Sequence, residues 1–558
     1  MKIPAGGQAQ FKPMIPPIVE APAQVSGSVL TASRGGLSEP HRRKMKSLTC
    51  RAVLLFISCF CALSRAGPSS SRFAIRVVDE QDGRGVPLVE LKTTGAVRYW
   101  TDSAGYVALD DPVLMGRKVF FFVRSDGYDF PADGFGMRGR ALDVRAGATE
   151  TIKIKRYNIA QRLYRMTGEG IYRDSVLLGL RTPIKEPLLN AQVTGQDSTM
   201  AAVYGGMIHW FWGDTAKPSY PLGHFGTSGA VSELPGHGGL DPSNGVDLTY
   251  YIDSDGFARP TLAGADGVLR WLDGLTVIKD GNTEKLVGLE SDHKGGFAAI
   301  ARKLVVWNDE KNTFDVLAII PPDAKNTPQG HIAPANFDGA DYLVCGIIFP
   351  NVRIKADLKS FADLSSYEAF TCLMPGSTYK DVHSPIERSA DGSVVWGWKK
   401  DTSPVLPDQL LELLKAGKLK ESELQCVPVD VDGGKRLCMQ GGSASFNVYR
   451  KKWVEIVGQT EGSSSYLGEI WFTEADHAEG PWLTAKKIVT HNRYSLYNPV
   501  QYPFFEQDGG RLIYFSGTYA TTFSRDGDPV PRYDYNNIMY RLDLADPRLF
   551  SQGARKPQ

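Results

Sequence analysis

The segment TGQDSTMAAVYGGMIHWFWGDT, from Thr194 to Thr215, sets two carboxylates symmetrically about a Gly-Gly pair. Runs of β-forming residues flank Gly205-Gly206, a two-residue hairpin signal because both turn positions need φ > 0. With Tyr204 paired to Met207, the ladder continued outward brings Asp197 opposite Asp214. Opposed side chains on one face of a strand pair have Cβ atoms roughly 5 Å apart, and like charges there are destabilising. Two acids kept at such a cost are the parts for cleaving a glycosidic bond. One, protonated, gives its proton to the leaving oxygen; the other, ionised, activates water or attacks the sugar. Their repulsion would raise one pKa, as a general acid requires. The same residues also suit plain turn chemistry, with Asp197 capping a turn and Asp214 of Gly213-Asp214-Thr215 forming an Asx-turn. Spacing alone leaves both readings open.

Other polar residues stand as secondary candidates for substrate binding. His331, in TPQGHIAP, follows a turn and is placed either to face a channel or to serve as a satisfied structural histidine. Glu469, in LGEIWF, and the nearby Glu474 offer a third acid or an anchor for backbone on a sheet face. Tyr497 and Asn498, in SLYNPVQYP, sit on a Pro-bounded loop before a strand, where an amide can bond sugar hydroxyls. Trp212 alternates with Phe211 and Trp210 along one strand, a pattern that serves sugar stacking or core packing. Asp253-Ser254-Asp255-Gly256 has the start of a calcium loop but lacks its later ligands, and no CxxC or HExxH zinc pattern occurs. Neither a metal nor another cofactor is expected.

The elements that must position these residues are strands. Gly (58) and Pro (34) are plentiful and aromatics reach 10%, favouring a turn-rich all-β chain over a helical one. The clearest helix runs from Pro407 to Leu419 and reads as an insertion. From Ser71 to Arg156, short alternating strands such as FAIRVVDEQDGRGVPLVELKTT, KVFFFVRSDGYDF and ETIKIKRY predict a small β-sandwich. From Asn158 to about residue 549 the chain becomes a series of hairpins, an aromatic strand, a charged turn and an aliphatic strand in succession, as in KLVVWNDEKNTFDVL and FNVYRKKWVEIVG. Outer strands of β-propeller blades read this way. About five units fit, so the fold expected is a five-bladed β-propeller with insertions behind a small N-terminal β-sandwich. A large sandwich or β-helix is the alternative. Asp197 would then begin an innermost strand and Asp214 end its neighbour, on one rim of the central channel.

Net charge is +1 over 558 residues, which gives no case for nucleic acid or an acidic membrane surface as partner. Residues 1–44 are rich in Pro, Gly, Ala and Ser without periodicity and read as disordered or as an over-extended start. MKSLTCRAVLLFISCFCALSRAG, beginning at Met45, has basic residues, a short apolar stretch and the small-residue site Ser64-Arg65-Ala66. Residues 45–66 thus have the layout of a secretory signal peptide, with a buried apolar strand as the alternative. Cleavage would leave no membrane span and would place the protein outside the cell, in the periplasm or at the cell surface. There, Cys426 and Cys438, flanking the turn Asp432-Gly433-Gly434, are placed to form a local disulfide or to remain free thiols.

Two resemblances attach to these residues. VVDEQDGRGVPLVEL followed by TDSAGYVAL resembles the carboxypeptidase-regulatory, transthyretin-like modules of secreted proteins, which act as structural or adhesive spacers. RDSVLLG, VTGQDSTMAAVYGGMIHWFWGDT, GEIWFTEADHAEGPW and YNPVQYPFFEQDGGRLIYFSGTY together resemble the five-bladed propeller glycosidases. The similarity is greatest to a formerly uncharacterised domain family that includes endo-acting D-arabinanases, with its T-G-x-D element followed one hairpin later by G-D-T. Here these are Thr194 to Asp197 and Gly213 to Thr215, and the resemblance implies that Asp197 and Asp214 form the acid/base pair. The long loop GHFGTSGAVSELPGHGGLDPSNGVDLTYY and the front module depart from that pattern and leave the sugar open. The expected activity is hydrolysis of a polysaccharide by paired carboxylates. The alternatives are a non-catalytic glycan-binding propeller or a structural, adhesive surface protein.

Overall fold

The computed structural model describes residues 71–549, apart from 225, 263, 265–266, 295–297, 493 and 525–527; the segments read as extension and signal peptide lie outside the described residues. Residues 73–156 form two four-stranded sheets. One orders Tyr106–Leu109, Phe73–Asp79, Thr149–Arg156 and Tyr128–Asp129; the other orders Arg98–Trp100, Glu90–Thr93, Lys118–Arg124 and Gly139–Asp143. Alternation drives their packing. In KVFFFVR every second residue is buried, and Val119, Phe121 and Val123 meet Ile75, Val77, Ile152 and Ile154 between the sheets.

Five further sheets of four or five strands follow, the blades of an all-β propeller. Their innermost strands are Met200–Tyr204, Leu269–Asp280, Ala333–Phe337, Met439–Asn447 and Ser495–Gln501. The first lies against the second, the third against the fourth and the fourth against the fifth. Middle strands are buried on both faces because each blade is covered by its neighbours: Trp210 and Phe211, adjacent in Met207–Trp212, enter two different cores. Blade 5 is completed from the far end of the sequence. Its strands Ser495–Gln501, Leu512–Ala520 and Asn536–Asp543 take Gln161–Arg165 as the fourth, outer strand. Blade spacing is irregular in sequence because insertions separate the strands. The largest carries the helix Pro407–Lys415, which buries Leu410 and Leu413 between blades 3 and 4.

The sandwich covers the outer edge of blade 5. All five residues of Gln161–Arg165 are buried, an edge strand shielded from pairing with other chains. Arg162 donates to the carbonyls of Pro87 and Asp126, both at 3.1 Å, and lies over the Tyr128 ring. Tyr533 extends the junction: its hydroxyl accepts from Leu88 N–H (3.1 Å) and donates to the Thr101 carbonyl (2.7 Å). Cys426 and Cys438 are free thiols, one buried and one exposed, so the local disulfide does not form in this structure. The pairing of Val429 with Arg436 closes the turn between them without a covalent link.

Candidate active site

The Gly-Gly hairpin adopts the register read from the sequence. Gly205 and Gly206 have φ of 58° and 79°, and Tyr204 pairs with Met207, continuing to Met200 opposite Phe211. The ladder then breaks. It resumes in a small separate sheet, where Gln196 pairs with Thr215 and Gly195 with Ala216. The register is the same on both sides of the break, so Asp197 and Asp214 stand opposite each other within it. Ser198, with φ of 53°, turns the chain at this point, and the Asp197 carbonyl accepts from Gly213 N–H at 2.8 Å. A Cβ at Gly213 would lie 2.4 Å from the Asp197 Oδ1, so a larger residue there would displace the carboxylate.

Both carboxylates are half-buried. Tyr497 donates its hydroxyl to Asp197 Oδ2 at 3.0 Å, and the Tyr535 phenol and Ser198 also bond this carboxylate. Burial pushes the Asp197 pKa up to about 7; the charge of Asp214 adds to the rise, and the three hydrogen bonds oppose it. Asp214 accepts from Trp271 Nε1–H at 3.0 Å and from the backbone N–H of Gly226, and burial raises its pKa too. Among the described residues no Arg or Lys forms an ion pair with either acid. The pair is therefore set to share protons rather than to sit as two salt-bridged anions.

The pair lies where blades 5, 1 and 2 meet at the ends of their innermost strands. Asn498 Nδ2 donates to Ser198 Oγ (2.8 Å) across the seam between blades 5 and 1, and Trp271 reaches Asp214 across the next. Similar bonds join the remaining seams at the same end. Gly274 N–H donates to Gly330 O (3.2 Å), Gly442 N–H to Ile347 O (3.0 Å), and Gln440 Nε2 to Asn498 Oδ1 (3.4 Å). A bulge between Tyr497 and Val500, with Asn498 at φ of 48°, turns both Tyr497 and Asn498 toward blade 1.

Of the sequence candidates, Tyr497 bonds Asp197 directly and Asn498 bonds its neighbour Ser198. His331 precedes the innermost strand of blade 3, beside the Gly330 N–H that donates to Asp273 Oδ1 (3.0 Å). Burial lowers its pKa to about 4, so the ring is neutral. Glu469 is placed otherwise. It is 2% exposed, paired with Lys487 at 3.0 Å and bonded by the hydroxyls of Ser463 and Ser464, an anchor inside blade 4. Glu474 is likewise held by Arg450. Trp212 is 1% exposed and packs between Trp210 and Tyr250, which leaves no ring face for a sugar. Asp253 to Gly256 forms a hairpin turn, with Phe257 N–H bonding Asp255 Oδ1. Two site residues lay outside the sequence reading. Trp271 opens the blade 2 inner strand, and Tyr535 comes from the loop before the last strand, with φ of 60° and its carbonyl accepting from Gln196 N–H. The PRYDYNNIMY segment carrying Tyr535 held the signal: aromatic residues bracketing an acid just before a strand.

Comparison with known proteins adds a faint likeness. No family model and no curated protein matches the sequence. Solved structures that it resembles include a hydrolase, described as putative, from Bacteroides ovatus (12% identity, 63% of this chain and 86% of that one, TM-score 0.37). An exo-β-1,3-galactanase from Phanerochaete chrysosporium (9%, 63% and 61%, 0.33) and an arabinanase from Bacillus subtilis (8%, 62% and 93%, 0.30) are also similar. The chain thus spans about three fifths of the galactanase. At this level of similarity the five-bladed architecture rests on the chain's own strand order.

Proposed function

We propose that this protein hydrolyses a glycosidic bond in a polysaccharide, with Asp197 as general acid and Asp214 as the ionised partner. One observation carries the reading: two half-buried carboxylates in direct register beside the start of the innermost strand of blade 1, with no basic side chain among the described residues pairing either. Asp197, with its pKa near 7, holds its proton through the mildly acidic range and can deliver it to a leaving oxygen. Only Asp197 is raised further by the charge of the other acid, which leaves Asp214 as the partner that ionises first and can activate water or attack the anomeric carbon. Asn498, whose amide keeps a second N–H, and the phenol oxygens of Tyr497 and Tyr535, which can still accept, bring polar groups to the same rim, suited to sugar hydroxyls.

Export to the periplasm, the cell surface or the medium belongs to the same proposal, supported by the signal-peptide layout of residues 45–66. The test is a screen of the chain from residue 67 against neutral and acidic polysaccharides, with Asp197→Asn and Asp214→Asn alongside. Loss of cleavage in both variants, with binding of the polymer retained, supports the assignment. Cleavage undiminished in both ends it. Binding by the wild type with no cleavage of any polymer turns the reading to a glycan-binding propeller.

A further inference from the structure

A cleft of about 470 Å3 lies where the sandwich meets blade 5. The sandwich supplies Glu90, Arg98, Trp100 and Arg124; the propeller supplies Tyr494 and residues 528–531. We propose that this cleft binds a segment of a neutral polysaccharide, as a site separate from the acid pair; this rests on the reading of the substrate as a glycan.

The chemistry of the walls selects the ligand. Arg98 pairs with Glu90 at 3.2 Å and approaches Asp528 at 3.9 Å, so the charges largely offset one another. An anionic polymer would meet Glu90, Asp126 and Asp528 as well as the arginines, and an apolar ligand would strip water from donors it cannot satisfy. A sugar chain suits both conditions. Its hydroxyls replace the water on planar polar groups, and its C–H face lies against an aromatic ring. Trp100, half-buried at the end of its strand, offers that ring, and the exposed guanidinium of Arg124 offers a fork of donors for neighbouring hydroxyls. The loop that lines the cleft through residues 528–531 also carries Tyr535 to Asp197. Tyr494 fixes that loop, its hydroxyl donating to the Asp528 carbonyl at 2.9 Å. The cleft is therefore built by the same connection that completes the acid site.

The test is affinity electrophoresis of the full chain in gels holding linear arabinan, β-1,3-galactan, xylan or the anionic polygalacturonan. Wild type is compared with Trp100→Ala, Arg124→Ala and Asp197→Asn. The expected result is retention on at least one neutral polymer, weakened about fivefold by Trp100→Ala and by Arg124→Ala and unchanged by Asp197→Asn. Both cleft variants should cleave a short soluble oligosaccharide of the same polymer at the wild-type rate. Because Trp100 touches the core, the exposed Arg124 serves as the variant that leaves folding intact. Retention of both variants equal to wild type overturns the proposal, as does wild-type retention on polygalacturonan alone or on no polymer. Failure of the acid-pair reading is separate: it appears as undiminished cleavage by Asp197→Asn, whatever the gels show.

Discussion

Replacing Asp197 by Asn should make the protein more stable, and increasingly so as pH rises. Burial and the Asp214 charge lift the folded-state pKa of Asp197 from 3.8 to about 7. A carboxyl raised in this way contributes stability that is full below its unfolded pKa and is lost as pH climbs through the folded value. By linkage the loss amounts to roughly 4 kcal/mol at most. Solvent reaching a half-buried side chain, and an amide that cannot reproduce every acceptor contact, reduce the expected gain to about 2 kcal/mol. The substituted amide carries no charge, so the difference between variant and wild type should be near zero at about pH 4. It should grow between about pH 4 and about pH 7 and level off above. Thermal unfolding of the two proteins in matched buffers across that range gives the curve. A variant less stable than wild type at about pH 8, or a difference that does not change with pH, would refute the account of Asp197 as a costly buried acid. Asp214→Asn removes the second cause of the rise, and its own gain with pH should be smaller.

Further outcomes follow from single contacts. Tyr497→Phe removes a donor that favours ionised Asp197, so the pKa rises further and the alkaline limb of the activity profile moves up by about one pH unit; a downward move would contradict the acid role. Gly213→Ala drives a methyl group into the Asp197 carboxylate and should cut cleavage by about tenfold or more while the circular dichroism spectrum stays unchanged. Tyr533→Phe leaves the Leu88 N–H and the Thr101 carbonyl without their shared hydroxyl and should cost about 1–3 kcal/mol in urea unfolding. A drop in activity beyond that loss would show that the sandwich positions Tyr535, two residues on.

The hairpin was legible because its signals are local. A Gly-Gly pair sets the turn, flanking aromatic and aliphatic residues set the strands, and the register brings the acids into opposition without reference to the rest of the chain. What the local pattern could not display was the break between the ladders, created by the left-handed Ser198 and sealed by bonds from blade 5. Trp212 shows the limit of periodicity. Alternation reports two faces, but in a middle strand of a blade both faces are buried, and the tryptophan goes to the core. Glu469 shows another limit, since its neutralising partners, Lys487 and two serines, are identifiable only once the strands of blade 4 are paired. Tyr535 and Trp271 reach the acids from other blades, so nothing in the spacing around Asp197 could name them.

The completion of blade 5 by Gln161–Arg165 also sets an order of events for a chain made from its N-terminus. That strand is finished early and stays an open edge, with unpaired N–H and C=O groups, until Asn536–Asp543 arrives. Asn536–Asp543 closes the ring, so no nascent chain that stops short of it can complete the propeller. The contact joins segments separated by most of the sequence, which makes closure slow and leaves the waiting edge open to wrong partners. Arg162, on that same strand, ties it to the sandwich through the Pro87 and Asp126 carbonyls. A chain translocated unfolded and released whole would avoid the exposed interval, and a chain truncated before residue 536 would be trapped in it.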